Sequence, residues 1–285
     1  MQTLREALQE AQKKGSAIGH FNVSDSTQLN AIFAGAQELS MPVIIGVSEG
    51  EREYIGAYQI VALVDTLREV HDFPIFLNAD HSHSIDDCKF LIDLGFDAVL
   101  FDGSKLSTEE NIEMTKEVVM YARDSGRDVL VEAELGYIGA SSKLLDAVPE
   151  DVKGAMTDPK EAKDFVEKTG IDLLAPAVGN LHGMLKGRAN PALNIERVKE
   201  ISERVRVPLV LHGGSGISDS DFTASIKAGV RIVHINTEIR VAYRKGIEEG
   251  LGKDSDEIAP YRYLGSGFDK VKETVKERLT LFGNA

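Results

Sequence analysis

Two hydrophobic rhythms alternate along this chain. Short β-branched runs recur, and each is followed by a stretch whose apolar positions keep helical spacing. The runs occupy residues 17–23, 42–48, 74–79, 98–102, 129–134, 173–178, 208–211 and 231–235. Strand-then-helix alternation implies parallel strands joined by helical crossovers, because a parallel neighbour can be reached only by a connection that returns over the sheet face. Eight such units in 285 residues predict an α/β fold of the (β/α)8 TIM-barrel type, whose usual length is roughly 250 residues. A doubly wound nucleotide-binding sheet would show G-x-G-x-x-G after its first strand or a Walker A loop, and the sequence has neither.

Capping chemistry marks the helix boundaries. Ser84 with Asp87, Ser107 with Glu110 and Ser218 with Asp221 have the spacing at which a side-chain oxygen satisfies free backbone N–H groups. Thr157-Asp158-Pro159 places proline where a first helical turn tolerates it, and Gly95, Gly170 and Gly229 stand where helices should stop. Leu29, Ile32, Phe33, Ala36 and Leu39 form one apolar stripe suited to the outside of a barrel. Two pieces lie outside the eight units: an amphipathic N-terminal helix over residues 1–14 (Leu4, Ala7, Leu8, Ala11) and a helical C-terminal extension over 238–285. No linker or repeat divides residues 1–285, so a single domain is expected.

Composition narrows the function. With 32 Lys and Arg against 46 Asp and Glu, the net charge of −14 repels phosphodiester backbones and anionic membranes, which argues against nucleic-acid or membrane partners. The single cysteine, Cys88, excludes an internal disulfide framework and reads as a buried apolar filler in a reducing compartment. The N-terminal segment lacks a signal-peptide pattern, and no run of eighteen apolar residues occurs, so the expected location is cytoplasmic.

In such a barrel the chemistry belongs at the C-terminal strand ends. Those ends read Asn22, Ser48, Asp80-His81, Asp102, Glu134, then Asn180 and His182, then His212, and finally Asn236-Thr237. Any one of them alone reads as a turn residue or a structural histidine; barrel closure would gather them on one rim. Three imidazoles with an open position form a catalytic Zn²⁺ pattern, which nearby carboxylates can orient or extend. His83 is a lesser candidate, His20 is expected inside the barrel and His71 on the surface. A second constellation joins His212-Gly213-Gly214-Ser215-Gly216 after strand seven to His234-Ile235-Asn236-Thr237 after strand eight. Glycines let backbone N–H groups approach an anion, and these loops are where barrels commonly hold phosphate.

Asn78-Ala79-Asp80-His81, Val131-Glu132-Ala133-Glu134-Leu135-Gly136, Thr157-Asp158-Pro159-Lys160-Glu161-Ala162, His182-Gly183 and Leu209-Val210-Leu211-His212-Gly213-Gly214-Ser215 resemble, in order, the motifs of class II fructose-bisphosphate and tagatose-bisphosphate aldolases. The resemblance implies that His81, His182 and His212 ligate a catalytic Zn²⁺, with Co²⁺ or Mn²⁺ as alternatives. It implies that Asp80 exchanges a proton with the aldehyde-derived hydroxyl, and that Asp102 and Glu134 attend a second divalent position. Asn22 and Ser48 would face substrate. Gly183, Gly213, Gly214 and Ser215, with Asn236 and Thr237 beside them, would hold the phosphate of dihydroxyacetone phosphate, often with a monovalent cation. A homodimer or homotetramer is implied as well. A divalent ion on a ketone carbonyl acts as a Lewis acid that stabilises the adjacent carbanion, so no Schiff-base lysine is needed.

Three departures fall in the substrate half of the site. The loop after Glu134 reads Gly139-Ala140-Ser141-Ser142 where the family carries the acid linked to proton transfer at the dihydroxyacetone carbon. His234 stands where the family has Asn; an imidazole there reads either as the enolising base or as a packing or hydrogen-bonding replacement. Tyr263-Leu264-Gly265-Ser266-Gly267 replaces a segment in which the family has an Arg for the distal phosphate, with Gly265 at that Arg; Lys186, Arg188 or Arg262 would have to substitute. The expected reaction is reversible cleavage of a ketose bisphosphate, by default fructose 1,6-bisphosphate. Tagatose 1,6-bisphosphate or a ketose 1-phosphate lacking the far phosphate is the alternative substrate. A non-catalytic sugar-phosphate-binding protein and a metal isomerase are alternatives of other classes.

Overall fold

The computed structural model describes residues 2–139, 142–154 and 156–285. Each apolar run forms a strand: β1 (Ile18–Asn22), β2 (Val43–Val47), β3 (Ile75–Ser82), β4 (Ala98–Phe101), β5 (Leu130–Leu135), β6 (Leu173–Pro176), β7 (Leu209–Leu211) and β8 (Val230–Ile235). Every strand pairs parallel with its successor and β8 pairs with β1, so the eight close into a barrel. The caps sit where the sequence places them. Ser84 accepts from Asp87 N, Ser218 from Asp221 N, Ser107 completes a capping box with Glu110, and Asp158 caps the helix that Pro159 opens.

Alternation along the strands decides what faces inward. At the N-terminal end, Ile18, Ile44, Phe76, Ala98, Leu130, Leu173, Val210 and Ile232 form one cluster with Leu4, Ala7, Leu8 and Ala11 of the N-terminal helix (Leu4–Lys14). That helix therefore plugs the barrel mouth. Two residues further along, the inward positions turn polar: His20, Asn78, Glu132, His212 and His234 are all buried. Gly46 leaves the space that the His20 ring fills, since a Cβ there would collide with the imidazole. Beyond them stand Asn22, Ser48, Asp80, Asp102, Glu134 and Asn236.

β3 runs past Ala79 to Ser82, and its register against β4 shifts between those residues. His81 sits in this bulge with φ +47°, a left-handed conformation uncommon for a side chain other than glycine. The consequence is functional: a regular strand would aim Asp80 and His81 to opposite faces, whereas the bulge lets both reach one cavity. Arg52, buried on the helix Glu49–Ile55, holds the bulge by donating to Asp80 O at 3.2 Å and Ser82 Oγ at 3.0 Å.

The C-terminal extension is helical (Thr237–Lys253, Pro260–Tyr263, Gly265–Gly283). Its last helix buries Val271, Val275, Leu279 and Phe282 and packs against the helix Ser26–Leu39 and β1, completing the outer ring. Cys88 is buried, as expected.

Candidate active site

The C-terminal mouth opens into a cavity of about 320 Å³. His81 arrives from the β3 bulge, His182 from the loop after β6 and His212 from the end of β7. Their ring centroids are 5.0, 5.0 and 5.9 Å apart. Ligand atoms of these three and of Glu134 lie within 4.8 Å of one another. Each imidazole has one nitrogen already engaged: His81 Nδ1 with Asp102 at 2.8 Å, His182 Nδ1 with Gly139 O at 2.7 Å, and His212 Nε2 with Glu132 at 2.7 Å. Such partners fix the tautomer and leave the second nitrogen as a lone-pair donor. Glu134 Oε2 is buried with no hydrogen-bond partner among the described residues. Three imidazole nitrogens and a carboxyl oxygen converging on one point fit a divalent cation that displaces their protons.

The electrostatics agree. Burial lowers His182 to about 4 and pushes His212 well below the usual imidazole range, keeping both neutral. Burial also opposes charge on His81, but Asp80, Asp102 and Glu134 overcome it and raise that imidazole to about 10. Burial raises Glu134 to about 8. The carboxylates demand positive charge at this point, and a divalent ion would meet the demand.

Asp102 stands behind His81. It is absent from the group that gathers around the three imidazoles. Its Oδ2 accepts from His81, and its Oδ1 accepts from Ser104 N at 3.0 Å and Ser104 Oγ at 2.6 Å. It orients His81.

Asp80 lies beside the cluster. Its Oδ2 accepts from Asn22 Nδ2 at 2.9 Å, and its Oδ1 is 3.6 Å from both His81 Nε2 and His234 Nδ1. Burial disfavours its charge, yet His81 and His234 hold the carboxyl well below the ordinary range. The His234 ring stacks flat on His20, with centroids 3.4 Å apart and planes 6° from parallel. Its Nε2 is buried with no partner among the described residues, and burial lowers the imidazole to about 4. His83 is half-exposed at the rim, Nδ1 3.3 Å from Asp102 O.

The phosphate-side loops owe their shape to glycine. Gly213 has φ +62°, and a Cβ there would strike the Leu181 carbonyl; a Cβ on Gly214 would lie 2.6 Å from His234 O. Gly183, Gly213, Ser215, Asn236 and Thr237 line the cavity, and Thr237 opens a helix whose free N–H groups suit an anion. Gly214 packs behind the lining rather than in it. Asn180 is structural, bridging Val178 N and His212 O.

Lys186 does not line the cavity. It sits on a short strand, Met184–Leu185 with its flank, and pairs with Asp146 at 2.9 Å in solvent. Arg262 pairs with Glu257, and Arg188 does not line the cavity either. Ser141 falls outside the described residues. Missed in the sequence were Glu132, the carboxylate behind His212, and the cations that do line the cavity, Lys105, Lys143 and Arg240. Glu132 was findable: it precedes Glu134 by two on one strand, so both face inward.

A closed parallel barrel with a metal-ligand cluster, a neighbouring buried carboxylate and a glycine-lined loop suited to an anion fits a metal-dependent enzyme with an anionic substrate. The particular family is settled by comparison. The chain belongs to the class II fructose-bisphosphate aldolases, whose family model, "Fructose-bisphosphate aldolase class-II", matches residues 2–285. It is 41% identical to a fructose-bisphosphate aldolase of Staphylococcus epidermidis, over 99% of this chain and 97% of that one. It is 39% identical to one of Geobacillus stearothermophilus, with the same coverage. The crystal structure of the YdjI aldolase of Escherichia coli K12 superposes with a TM-score of 0.82 at 31% identity, covering 99% of this chain and 98% of that one. No helix among the described residues is long and apolar enough to cross a membrane.

Proposed function

We propose that this aldolase cleaves a ketose bisphosphate reversibly, with fructose 1,6-bisphosphate as the default substrate, giving dihydroxyacetone phosphate and an aldehyde. The observation that carries the reading is the meeting of His81, His182, His212 and Glu134 beside Asp80. These four would hold the divalent ion. Three imidazoles with an open position suit Zn²⁺, and Co²⁺ or Mn²⁺ accept the same donors. The ion supplies Lewis-acid polarisation of the substrate ketone.

The chain's own residues do the rest. Gly183, Gly213, Ser215 and Thr237 hold the C1 phosphate through backbone N–H groups and hydroxyls, while Asn22 and Ser48 face the opposite end. In cleavage, Asp80 takes the proton of the C4 hydroxyl as the C3–C4 bond breaks and its electron pair passes to C3. His234 takes a proton from solvent and delivers it to C3, and Asp80 releases the proton it took to solvent. In condensation the same imidazole removes that proton through its unpartnered Nε2, and Asp80 protonates the new C4 alkoxide. Burial keeps His234 neutral, as a base must be.

The test is a coupled cleavage assay of zinc-loaded protein on fructose and tagatose 1,6-bisphosphates, with and without chelator. Cleavage that requires the ion supports the reading. Cleavage that survives complete metal removal overturns it.

A further inference from the structure

The reaction described above makes no use of His20, a buried imidazole one layer below the cavity. It projects inward from β1 at the level of its register partner on β8, His234. The two rings lie face to face, their centroids 3.4 Å apart and their planes 6° from parallel. On the other side of β8 stands β7, whose His212 ring is centred 3.9 Å from that of His234 and tilted by 32°. His234 is therefore flanked by imidazoles from both neighbouring strands, and its ring cannot rotate without displacing one of them. The atoms left to meet a substrate lie on the ring's edge. Nδ1 stands 3.6 Å from Asp80 Oδ1, and Nε2 has no partner among the described residues.

His20 is itself held in place. Its Nε2–H donates to Oδ1 of the buried Asn78 at 3.1 Å. Its ring occupies a recess that exists only because residue 46 has no side chain: a Cβ on Gly46 would come within 2.0 Å of His20 Cε1 and 2.5 Å of Nε2. The remaining nitrogen, Nδ1, is buried with no partner among the described residues. Burying an unpartnered acceptor costs stability, and leucine, of about the same volume, would fill the recess without that cost. An imidazole is a poor choice for filling space here; what it adds is a flat face, fixed by Asn78 and laid against His234.

From this geometry we propose that His20 is a positioning residue for proton transfer at C3. It holds the plane of the His234 ring so that Nε2 meets the C3 proton, and it acts through His234 alone. His20 neither gives nor takes a proton in the step. The proposal rests on the reading of His234 as the base given above. Misplacing a reacting group by about 1 Å can cost roughly a hundredfold in rate. Substrate binding is supplied by other residues, so the loss falls on kcat and spares KM.

The experiment is a double-mutant cycle on zinc-loaded enzyme, following exchange of the C3 proton of dihydroxyacetone phosphate in wild type, H20L, H234N and H20L/H234N, with H20Q alongside. H20L keeps the volume but neither the flat face nor the hydrogen bond to Asn78. H20Q keeps a planar amide that can donate to Asn78. H20L is expected to lower kcat for exchange roughly ten- to hundredfold with KM for dihydroxyacetone phosphate within about twofold of wild type. H20Q recovers most of that loss. With Asn at 234, the change at 20 alters exchange by no more than about twofold. Crystals of H20L are expected to show the His234 ring turned out of its present plane.

An H20L effect as large with Asn at 234 as with His, no slowing in H20L, or H20Q no better than H20L overturns the proposal. His20 is then core packing, and the aldolase reading is intact. If H20L does not fold, H20A takes its place in the cycle. H234N that exchanges at the wild-type rate removes His234 as the base and the proposal with it, while metal-dependent cleavage by wild type, measured in parallel, keeps the aldolase reading. If wild type neither exchanges the proton nor cleaves, both fall.

Discussion

The two mouths of the barrel are built from successive inward-facing positions of the same eight strands and filled with opposite chemistry. At the N-terminal mouth those positions are apolar and the helix Leu4–Lys14 seals them. At the C-terminal mouth they are imidazoles, carboxylates and amides, several with buried atoms that have no partner among the described residues. Buried polar groups left without partners cost stability. The polar end is therefore tolerable because the apolar end stabilises the fold, and because a cation and a phosphate complete it. Stability and chemistry are separated along one axis.

That separation can be broken from either end. The largest effect on turnover belongs to His182→Ala, which removes a proposed metal ligand. Cleavage in a coupled assay should fall by roughly a thousandfold or more, while circular dichroism shows an intact barrel. Unfolding of that variant would mean the two ends are not separable. Gly213→Ala places a methyl against the Leu181 carbonyl and forces a side chain into positive φ. A cost of about 1–3 kcal/mol is expected in the phosphate loop, read as a KM for the ketose phosphate raised about ten- to hundredfold.

Glu132→Gln tests the layer between the two ends. Loss of the carboxylate behind His212 should weaken zinc binding about ten- to hundredfold in a competition titration. The same titration has a pH sign. His81 at about 10 and Glu134 at about 8 hold protons near neutrality. A cation must displace them, so zinc affinity rises from pH 6 to pH 8 and binding releases protons.

Leu8→Ala cuts the plug. Leu8 is 4% exposed, so chemical denaturation should show about 2–5 kcal/mol lost, with kcat essentially unchanged in the folded fraction. The smallest effect concerns Cys88. Burial pushes its thiol up to about 12, so at pH 8 it holds far less thiolate than a free cysteine. Disulfide-exchange reagents should leave it unmodified until the protein unfolds.

How much of this was legible depended on the reach of the side chain. β-branched runs and strand-end residues report the barrel directly, because the C-terminal rim is fixed by topology; His81, His182, His212 and Asp80 follow from that rule. The bulge that turns His81 inward is not readable, since nothing in Asn78-Ala79-Asp80-His81 announces a left-handed histidine. Lys186 and Arg262 lie near the motifs in sequence, yet in the fold they pair with Asp146 and Glu257 and do not line the cavity. Arg240 was overlooked for the converse reason: its target, Glu51, is far away along the chain and reached only across β1. The second carboxylate of β5, Glu132, was inside a quoted motif, yet its partner on β7 required the closed barrel.

Titration of metal-stripped protein with zinc, following exchange of the C3 proton of dihydroxyacetone phosphate and the zinc X-ray absorption edge together, bears most directly on the central claim. The account predicts that exchange appears in step with about one zinc per chain, bound through imidazole nitrogens, and vanishes again on chelation. Exchange at full rate before any zinc is added, or a saturated zinc whose spectrum shows no imidazole, would contradict it.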